Sequence, residues 1–231
     1  MKKVIITNKK IGETPLERLE KVRKEEKIDA KTPMTYAGRL DPMAQGLLII
    51  LVGEECKNKE KYTNLNKEYE LEIIFGIETD TQDVLGLIKK VSTDKPKLID
   101  FNKYIGKFIQ KYPAFSSKRL YKEYIEIPEK EVEIYSIEKT DERMESGLKI
   151  ASNSISKINL VSGDFRQDKI LEDWQYFADE FGRIEFKIIT LKVMCSSGTY
   201  MRTLAENIGK DAGTGGLANL IKRNSVGEYK I

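Results

Sequence analysis

A single carboxylate stands in a loop of glycine and proline directly before a long apolar run, and this arrangement constrains the chain most. The loop covers residues 38–46, with Asp41 followed by Pro42, and the apolar run covers residues 47–52. Right-handed helical geometry at Asp41 would clash with the proline ring, so its backbone is extended. Such a rigid loop beside a buried strand suits covalent or general-base chemistry. A purely structural turn would have the same composition.

The residue types that the chain lacks exclude several kinds of site. The 231 residues contain no histidine and only two cysteines, Cys56 and Cys195, which lie far apart. A zinc site and a Ser-His-Asp or Cys-His nucleophile are therefore excluded. No apolar run approaches the ~20 residues that span a bilayer. We expect a cytoplasmic protein with no membrane partner.

The net charge of +3 hides an uneven distribution along the chain. Residues 125–186 are net acidic, so the remainder is more basic than the total suggests. A basic surface that is separated from an acidic one predicts a polyanionic partner such as nucleic acid. A solvated lysine-rich face would have the same composition. The basic part includes one short window with Lys103, Lys107, Lys111, Lys118, Arg119 and Lys122.

The hydrophobic patterns predict interleaved helices and strands without regular βαβ spacing, which favours an α+β fold. The capping box Thr14-Pro15-Leu16-Glu17 predicts a helix to about residue 27, with Leu16, Leu19 and Val22 on one face. We expect strands at residues 2–7, 47–52, 67–75, 131–137 and 186–193. We expect further helices at residues 97–110, 167–181, 200–208 and 217–223.

Several separated segments, in register, resemble one family, the bacterial tRNA pseudouridine-55 synthases of the TruB family. The loop Gly38-Arg39-Leu40-Asp41-Pro42-Met43-Ala44-Gln45-Gly46 is similar to that family's catalytic motif. The other matching segments are Lys67-Glu68-Tyr69, Thr79-Asp80-Thr81-Gln82-Asp83, Pro113-Ala114-Phe115-Ser116-Ser117-Lys118, Cys195-Ser196-Ser197-Gly198-Thr199-Tyr200-Met201-Arg202, and residues 213–227. Six motifs in the family's order are much stronger evidence than one.

The resemblance implies a pseudouridine-synthase-like fold, a mixed and mainly antiparallel sheet flanked by helices, over a single catalytic domain of residues 1–231. It implies that the chain converts a T-loop uridine of tRNA to pseudouridine without a metal or cofactor. The base would be flipped out of the RNA stack. The implied catalytic residues are Asp41, Tyr69 and Arg202. The implied substrate-binding residues are Tyr36, Arg39, Lys118, Arg119, Tyr200 and Ile221.

The sequence also departs from the family pattern. Tyr36 stands where the family usually has histidine, and an insert at about residues 140–182 has no obvious family equivalent. We expect the family's usual C-terminal RNA-binding domain to be missing. We expect a monomer with no protein partner, and we expect the apolar face around Trp174 to pack on the sheet away from Asp41.

Two other functions fit parts of the pattern. A non-catalytic RNA-binding or tRNA-folding factor would keep the same scaffold without the reaction. Retention of Asp41, Tyr69 and Arg202 together favours the synthase. A glycosidase would need two carboxylates, and the sequence offers only one that is well placed beside an arginine.

Overall fold

The structure is a computed structural model that describes residues 2–113 and 129–231. These ranges contain eleven β-strands and five α-helices. The strands are β1 (Lys2–Lys9), β2 (Met34–Ala37), β3 (Ala44–Gly53), β4 (Lys67–Phe75), β5 (Ile77–Thr79), β6 (Ile88–Val91), β7 (Gly106–Lys111), β8 (Glu129–Ser146), β9 (Glu185–Cys195), β10 (Gly216–Val226) and β11 (Tyr229–Lys230). The helices are α1 (Pro15–Glu25), α2 (Lys59–Thr63), α3 (Gly147–Ile158), α4 (Gln167–Phe181) and α5 (Met201–Asp211).

One large sheet organises the molecule, in the order β1-β3-β10-β4-β9-β8-β7. Strands β2 and β11 pair with β3 and β10, while β5 and β6 form a separate hairpin. All described pairs within the large sheet are antiparallel except β10 with β3. The predicted α+β class with a mainly antiparallel sheet is therefore confirmed.

The first helix begins where its capping box predicts. Thr14 Oγ1 accepts a hydrogen bond from the Glu17 amide at 3.2 Å, and the Thr14 amide donates to Glu17 Oε2 at 2.6 Å. Leu19 and Val22 are buried as expected. The prediction was wrong for Leu16, which is exposed because Pro15 occupies the inward position of this turn.

The helices predicted at residues 97–110 and 217–223 do not form. Residues 97–110 hold only a short 3₁₀ turn, Phe101–Tyr104, before β7. Gly106 has a φ of +109°, which ends any helical path there. The predicted helix at residues 217–223 is instead the central strand β10, because it pairs along its length with β4 and also with β3. Short apolar segments fit both periodicities, and tertiary pairing decides between them.

The sheet carries helices on both faces. On one face, α5 packs Leu204 and Ile208 against Leu71 and Leu191. On the other face, α3 and α4 pack against the side chains that point the opposite way, among them Ile74, Ile188 and Leu217. Neighbouring residues of a strand face opposite sides, so β4 serves both cores.

Helix α4 supplies the largest side chain of the second core. Trp174 is fully buried, its Nε1 donates to the Val84 carbonyl at 3.0 Å, and its ring lies 5.4 Å from that of Phe177. The helix predicted at residues 167–181 and its burial on the sheet are confirmed. Among the described residues, no helix is long and apolar enough to cross a membrane.

Trp174→Ala should lower the free energy of unfolding by about 3–5 kcal/mol, because it leaves a large cavity and an unpaired Val84 carbonyl. The matched control is Tyr176→Ala on the same helix, where the side chain is 65% exposed. Urea unfolding followed by circular dichroism measures both variants. Equal stability of the two variants would show that α4 is not anchored through Trp174.

Candidate active site

The Asp41 loop is fixed by backbone geometry and by a buried lysine. The Ala44 amide donates to the Asp41 carbonyl at 3.0 Å, which closes a turn. Gly46 has a φ of +109°, and a Cβ there would lie 2.3 Å from the Arg223 carbonyl, so only glycine allows β3 to approach β10 this closely. Lys9 is fully buried, and its Nζ donates to the Ala44 carbonyl at 2.5 Å. Burial lowers the pKa of Lys9 to about 8.

A buried arginine holds the Asp41 carboxylate. Arg202 Nε lies 2.9 Å from Asp41 Oδ2, and Arg202 Nη1 donates to the Thr81 carbonyl at 2.8 Å. The Arg202 side chain is 4% exposed, whereas that of Asp41 is 31% exposed and open to solvent. Burial alone would lower the pKa of Arg202, but Asp41 and Asp83 raise it above its usual value. The guanidinium therefore stays charged and fixes the orientation of the carboxylate.

Asp83 completes this arrangement, although from the sequence we expected no role for it beyond its place in a family motif. Its Oδ2 lies 3.7 Å from Arg202 Nε, while its Oδ1 accepts from Thr81 Oγ1 at 2.8 Å and from the Leu85 amide at 3.0 Å. Burial raises the pKa of Asp83, against the opposing effect of Arg202. Asp83 is a buried second partner of the arginine and does not line the cleft into which Asp41 opens. Its place in the Thr-Asp-Thr-x-Asp motif was the signal that could have found it.

Asp41 opens into a cleft of about 460 Å³ on the α5 side of the sheet. Seven of the residues singled out in the sequence line it together: Tyr36, Arg39, Asp41, Tyr69, Tyr200, Arg202 and Ile221. Lys118 and Arg119 lie outside the described residues. None of the described residues that line the cleft comes from the insert at residues 140–182.

The cleft is strongly cationic. Among its described lining residues, Asp41 is the one acid, against six cations: Arg39, Lys59, Lys67, Lys130, Arg202 and Arg223. The sequence analysis assigned no role to four of these cations, because they come from four separate elements that only the fold brings together: Lys59 in α2, Lys67 in β4, Lys130 in β8 and Arg223 in β10. A concave surface of one sign focuses the field and attracts a polyanion.

Arg223 lines the cleft and hydrogen-bonds to the backbone of the Asp41 loop. It is 1% exposed, and its Nε and Nη2 donate to the Leu47 and Gly38 carbonyls at 2.8 and 2.9 Å. It lies directly across from Tyr69 in the pairing of β10 with β4. These carbonyls do not neutralise its charge, and Arg223 acts on Tyr69 to lower the pKa of that hydroxyl against the effect of burial.

Lys67 adds a second buried charge next to Arg223. Its Nζ donates to the Thr63 and Leu65 carbonyls. Burial, together with the nearby Arg223, lowers the pKa of Lys67 to about 8. A group with this pKa changes charge just above neutral pH.

Aromatic rings line the walls of the cleft. Tyr69 is 8% exposed, and burial raises the pKa of its hydroxyl. Tyr200 packs edge-on against Tyr112, with ring centroids 5.2 Å apart. The buried side chain of Gln110 holds the Tyr200 backbone, accepting from its amide at 2.8 Å and donating to its carbonyl at 3.1 Å.

Near the entrance, the Tyr36 hydroxyl accepts from Arg39 Nη2 at 3.2 Å, and Lys59 Nζ lies 5.5 Å from the centre of the Tyr36 ring. Flat rings between cations suit nucleobases joined by phosphates. In residues 2–113 and 129–231, no three histidine, cysteine, aspartate or glutamate side chains gather where they could hold a metal ion.

Relatives of known name match almost the whole chain. The tRNA pseudouridine synthase B of Borreliella burgdorferi (strain ZS7) is 27% identical over 241 residues, covering 98% of this chain and 70% of that protein. The protein of the same name from Psychrobacter cryohalolentis is 31% identical over 234 residues, covering 99% of this chain and 56% of that protein.

Solved structures share the fold. A Cbf5-Nop10-Gar1 complex contains a chain that superposes with a TM-score of 0.60 at 18% identity. An H/ACA RNP bound to a substrate RNA containing 2′-deoxyuridine gives 0.56 at 16% identity. Each match covers 98% of this chain, which spans about half the length of those chains.

The family itself follows from the sequence between residues 26 and 156, which matches the TruB family pseudouridylate synthase (N terminal domain). This match covers more than half of the chain and includes Asp41, Tyr69 and Asp83. The chain belongs to the TruB family of pseudouridylate synthases.

Proposed function

We propose that this chain is a tRNA pseudouridine synthase that converts the T-loop uridine at position 55 to pseudouridine. The observation that carries the proposal is the Asp41 carboxylate, held at 2.9 Å by a buried arginine and open to a cationic, tyrosine-lined cleft. Membership of the TruB family and the names of the relatives support tRNA as the substrate.

The reaction is an isomerisation, so its chemistry needs no redox partner. The C1′–N1 bond of the uridine breaks, the uracil turns, and a C1′–C5 bond forms, while the proton on C5 leaves and N1 gains a proton. Asp41 is the group that we assign to start this sequence, as a nucleophile or base toward C1′ or C6. Arg202 keeps the carboxylate oriented toward the cleft rather than toward solvent.

Tyr69 has two roles in this proposal. Its ring supplies the face on which the flipped uracil stacks. Its hydroxyl is the candidate to take the C5 proton, for which it must first be ionised. Burial raises its pKa and disfavours that ionisation, while the nearby Arg223 favours it. Replacing the hydroxyl alone separates the two roles.

The remaining cations are assigned to the RNA backbone. A T-arm stem-loop carries one phosphate charge per nucleotide, and Arg39, Lys59 and Lys130 stand around the mouth of the cleft. Phosphate contacts of this kind position the RNA without reading its sequence.

Asp41→Asn should lower turnover by about 10³-fold or more, because it removes the charge and the nucleophile but keeps the shape. Binding of a T-arm hairpin should remain.

The wild-type assay, run in buffer with EDTA on a hairpin folded beforehand, should yield pseudouridine at one position. The control is Asp94→Asn, an exposed loop carboxylate. Normal turnover by Asp41→Asn would overturn the assignment, and a wild type that binds without turnover would favour the tRNA-folding factor.

Tyr69→Phe should slow the reaction by roughly 10- to 100-fold with little loss of affinity, because the stacking face survives and the hydroxyl does not. Tyr62→Phe is a matched control, since Tyr62 is equally buried and its hydroxyl donates to Glu55 at 2.7 Å, outside the cleft lining. Single-turnover kinetics measure the rate constant and RNA titration measures affinity. A loss confined to affinity would contradict the role of the hydroxyl.

RNA affinity should fall as pH rises from 7 to 9. Lys67 has a pKa of about 8, so it is charged below that pH and loses its attraction for phosphate above it. The slope of log Kd against log salt should become smaller by up to about one at pH 9. Lys67→Gln should show little of this change, while Lys192→Gln on β9, outside the cleft lining, should behave like the wild type. Identical pH dependence in both variants would place the RNA away from Lys67.

A further inference from the structure

The insert helix α4 contacts the connection between β5 and β6, residues 80–87, and the start of β6. Arg166, just before α4, forms a two-point ion pair with Asp80, with Nη1 to Oδ2 at 2.7 Å and Nη2 to Oδ1 at 3.2 Å. Trp174 Nε1 donates to the Val84 carbonyl, and Asp173 Oδ2 accepts from the Ile88 amide at 2.9 Å. Arg166 and α4 therefore contact this connection at its start, in its middle and where it enters β6.

The same connection holds Arg202 from its other side. The Thr81 carbonyl and the Asp83 carboxylate are two of the groups that contact the Arg202 guanidinium. Thr81 lies next to Asp80 in the chain, so the Arg166 ion pair is one residue away from a group that orients Arg202.

The two sides of the connection pack closely against each other. A Cβ on Gly86 would lie 2.2 Å from Thr81 Oγ1 and 2.8 Å from Asp80 Oδ1. Gln82 adopts a φ of +67°, its carbonyl accepts from the Ala218 amide at 3.0 Å, and its Nε2 donates to Glu206 Oε2 at 2.7 Å. Displacement of Asp80 is therefore passed on to Thr81 and Asp83.

From this chain of contacts we propose that the inserted segment positions the catalytic pair, with Arg166 acting through Asp80, Thr81 and Asp83 on Arg202 and Asp41. The segment does this from outside the cleft, and the inference rests on the proposed synthase activity. Arg166 itself adopts a φ of +64°, a conformation that costs energy for a residue with a Cβ and that the ion pair offsets.

The experiment compares Arg166→Gln, Arg166→Lys, Asp80→Asn and the double variant Asp80→Asn/Arg166→Gln in the full chain. The matched control is Arg143→Gln. Arg143 has the same 36% side-chain exposure as Arg166 and pairs with Glu72 at 2.9 Å, without touching the 80–87 connection. Three quantities are measured: the single-turnover rate constant on a T-arm hairpin, the Kd for that hairpin, and amide hydrogen exchange at residues 80–85 and 200–204.

Arg166→Gln should lower the rate constant by about tenfold while Kd stays within about twofold, because the groups that bind RNA are untouched. Arg166→Lys should recover most of the rate, since it keeps the charge. The double variant should be no slower than Arg166→Gln alone, because the two residues act as one unit. Exchange should rise at both measured segments in Arg166→Gln and remain unchanged in Arg143→Gln.

A normal rate constant for Arg166→Gln, or an equal loss in Arg143→Gln, would overturn the inference, as would a loss that appears only in Kd. Wild-type protein without turnover would overturn the proposed function instead. In that case hydrogen exchange in Arg166→Gln still tests the coupling between Arg166 and Arg202. Increased exchange at residues 200–204 supports this coupling, and unchanged exchange rejects it.

Discussion

The ion pair between the buried Arg202 and Asp41 is the interaction on which the rest of the site depends. Removing a guanidinium from water is costly, and one partner alone seldom offsets that cost. Here the Asp41 and Asp83 carboxylates and the Thr81 carbonyl all contact the Arg202 guanidinium. Because Arg202 and these partners come from three separate segments, the Asp41 loop, the 80–87 connection and α5 must all be in place before the pair forms.

Buried cations that bond to backbone carbonyls are the second constraint. Lys9, Lys67 and Arg223 donate to carbonyls of the Asp41 loop or of the turn before β4. Such bonds satisfy the donors, but burial still lowers the pKa of both lysines to about 8. Lys67 and Arg223 line the cleft that we assign to a polyanion, whose phosphates would place negative charge beside them.

Strong local patterns predicted their elements well. The capping box at Thr14, the alternation of β4 and the apolar face of α4 each reappear in the structure. Weak or ambiguous patterns failed, as at β7 and β10. Residues 217–223 have no period that separates a strand from a helix, and β10 is a strand because both of its edges are paired. The long-range partners that decide such cases are not visible in a local window.

The sequence by itself determined the types of group available for chemistry. It contains no histidine, it places Asp41 in a rigid loop, and its ordered motifs identify the family. Only the tertiary structure decided that Asp41 meets Arg202, 161 residues further along the chain, and that Asp83 and Arg223 stand beside them. It also decided that Arg166 and α4 contact the 80–87 connection, which in turn contacts Arg202. These contacts depend on the strand order and on the packing of helices against the sheet. Both arise from packing across the whole molecule rather than from neighbours in the chain.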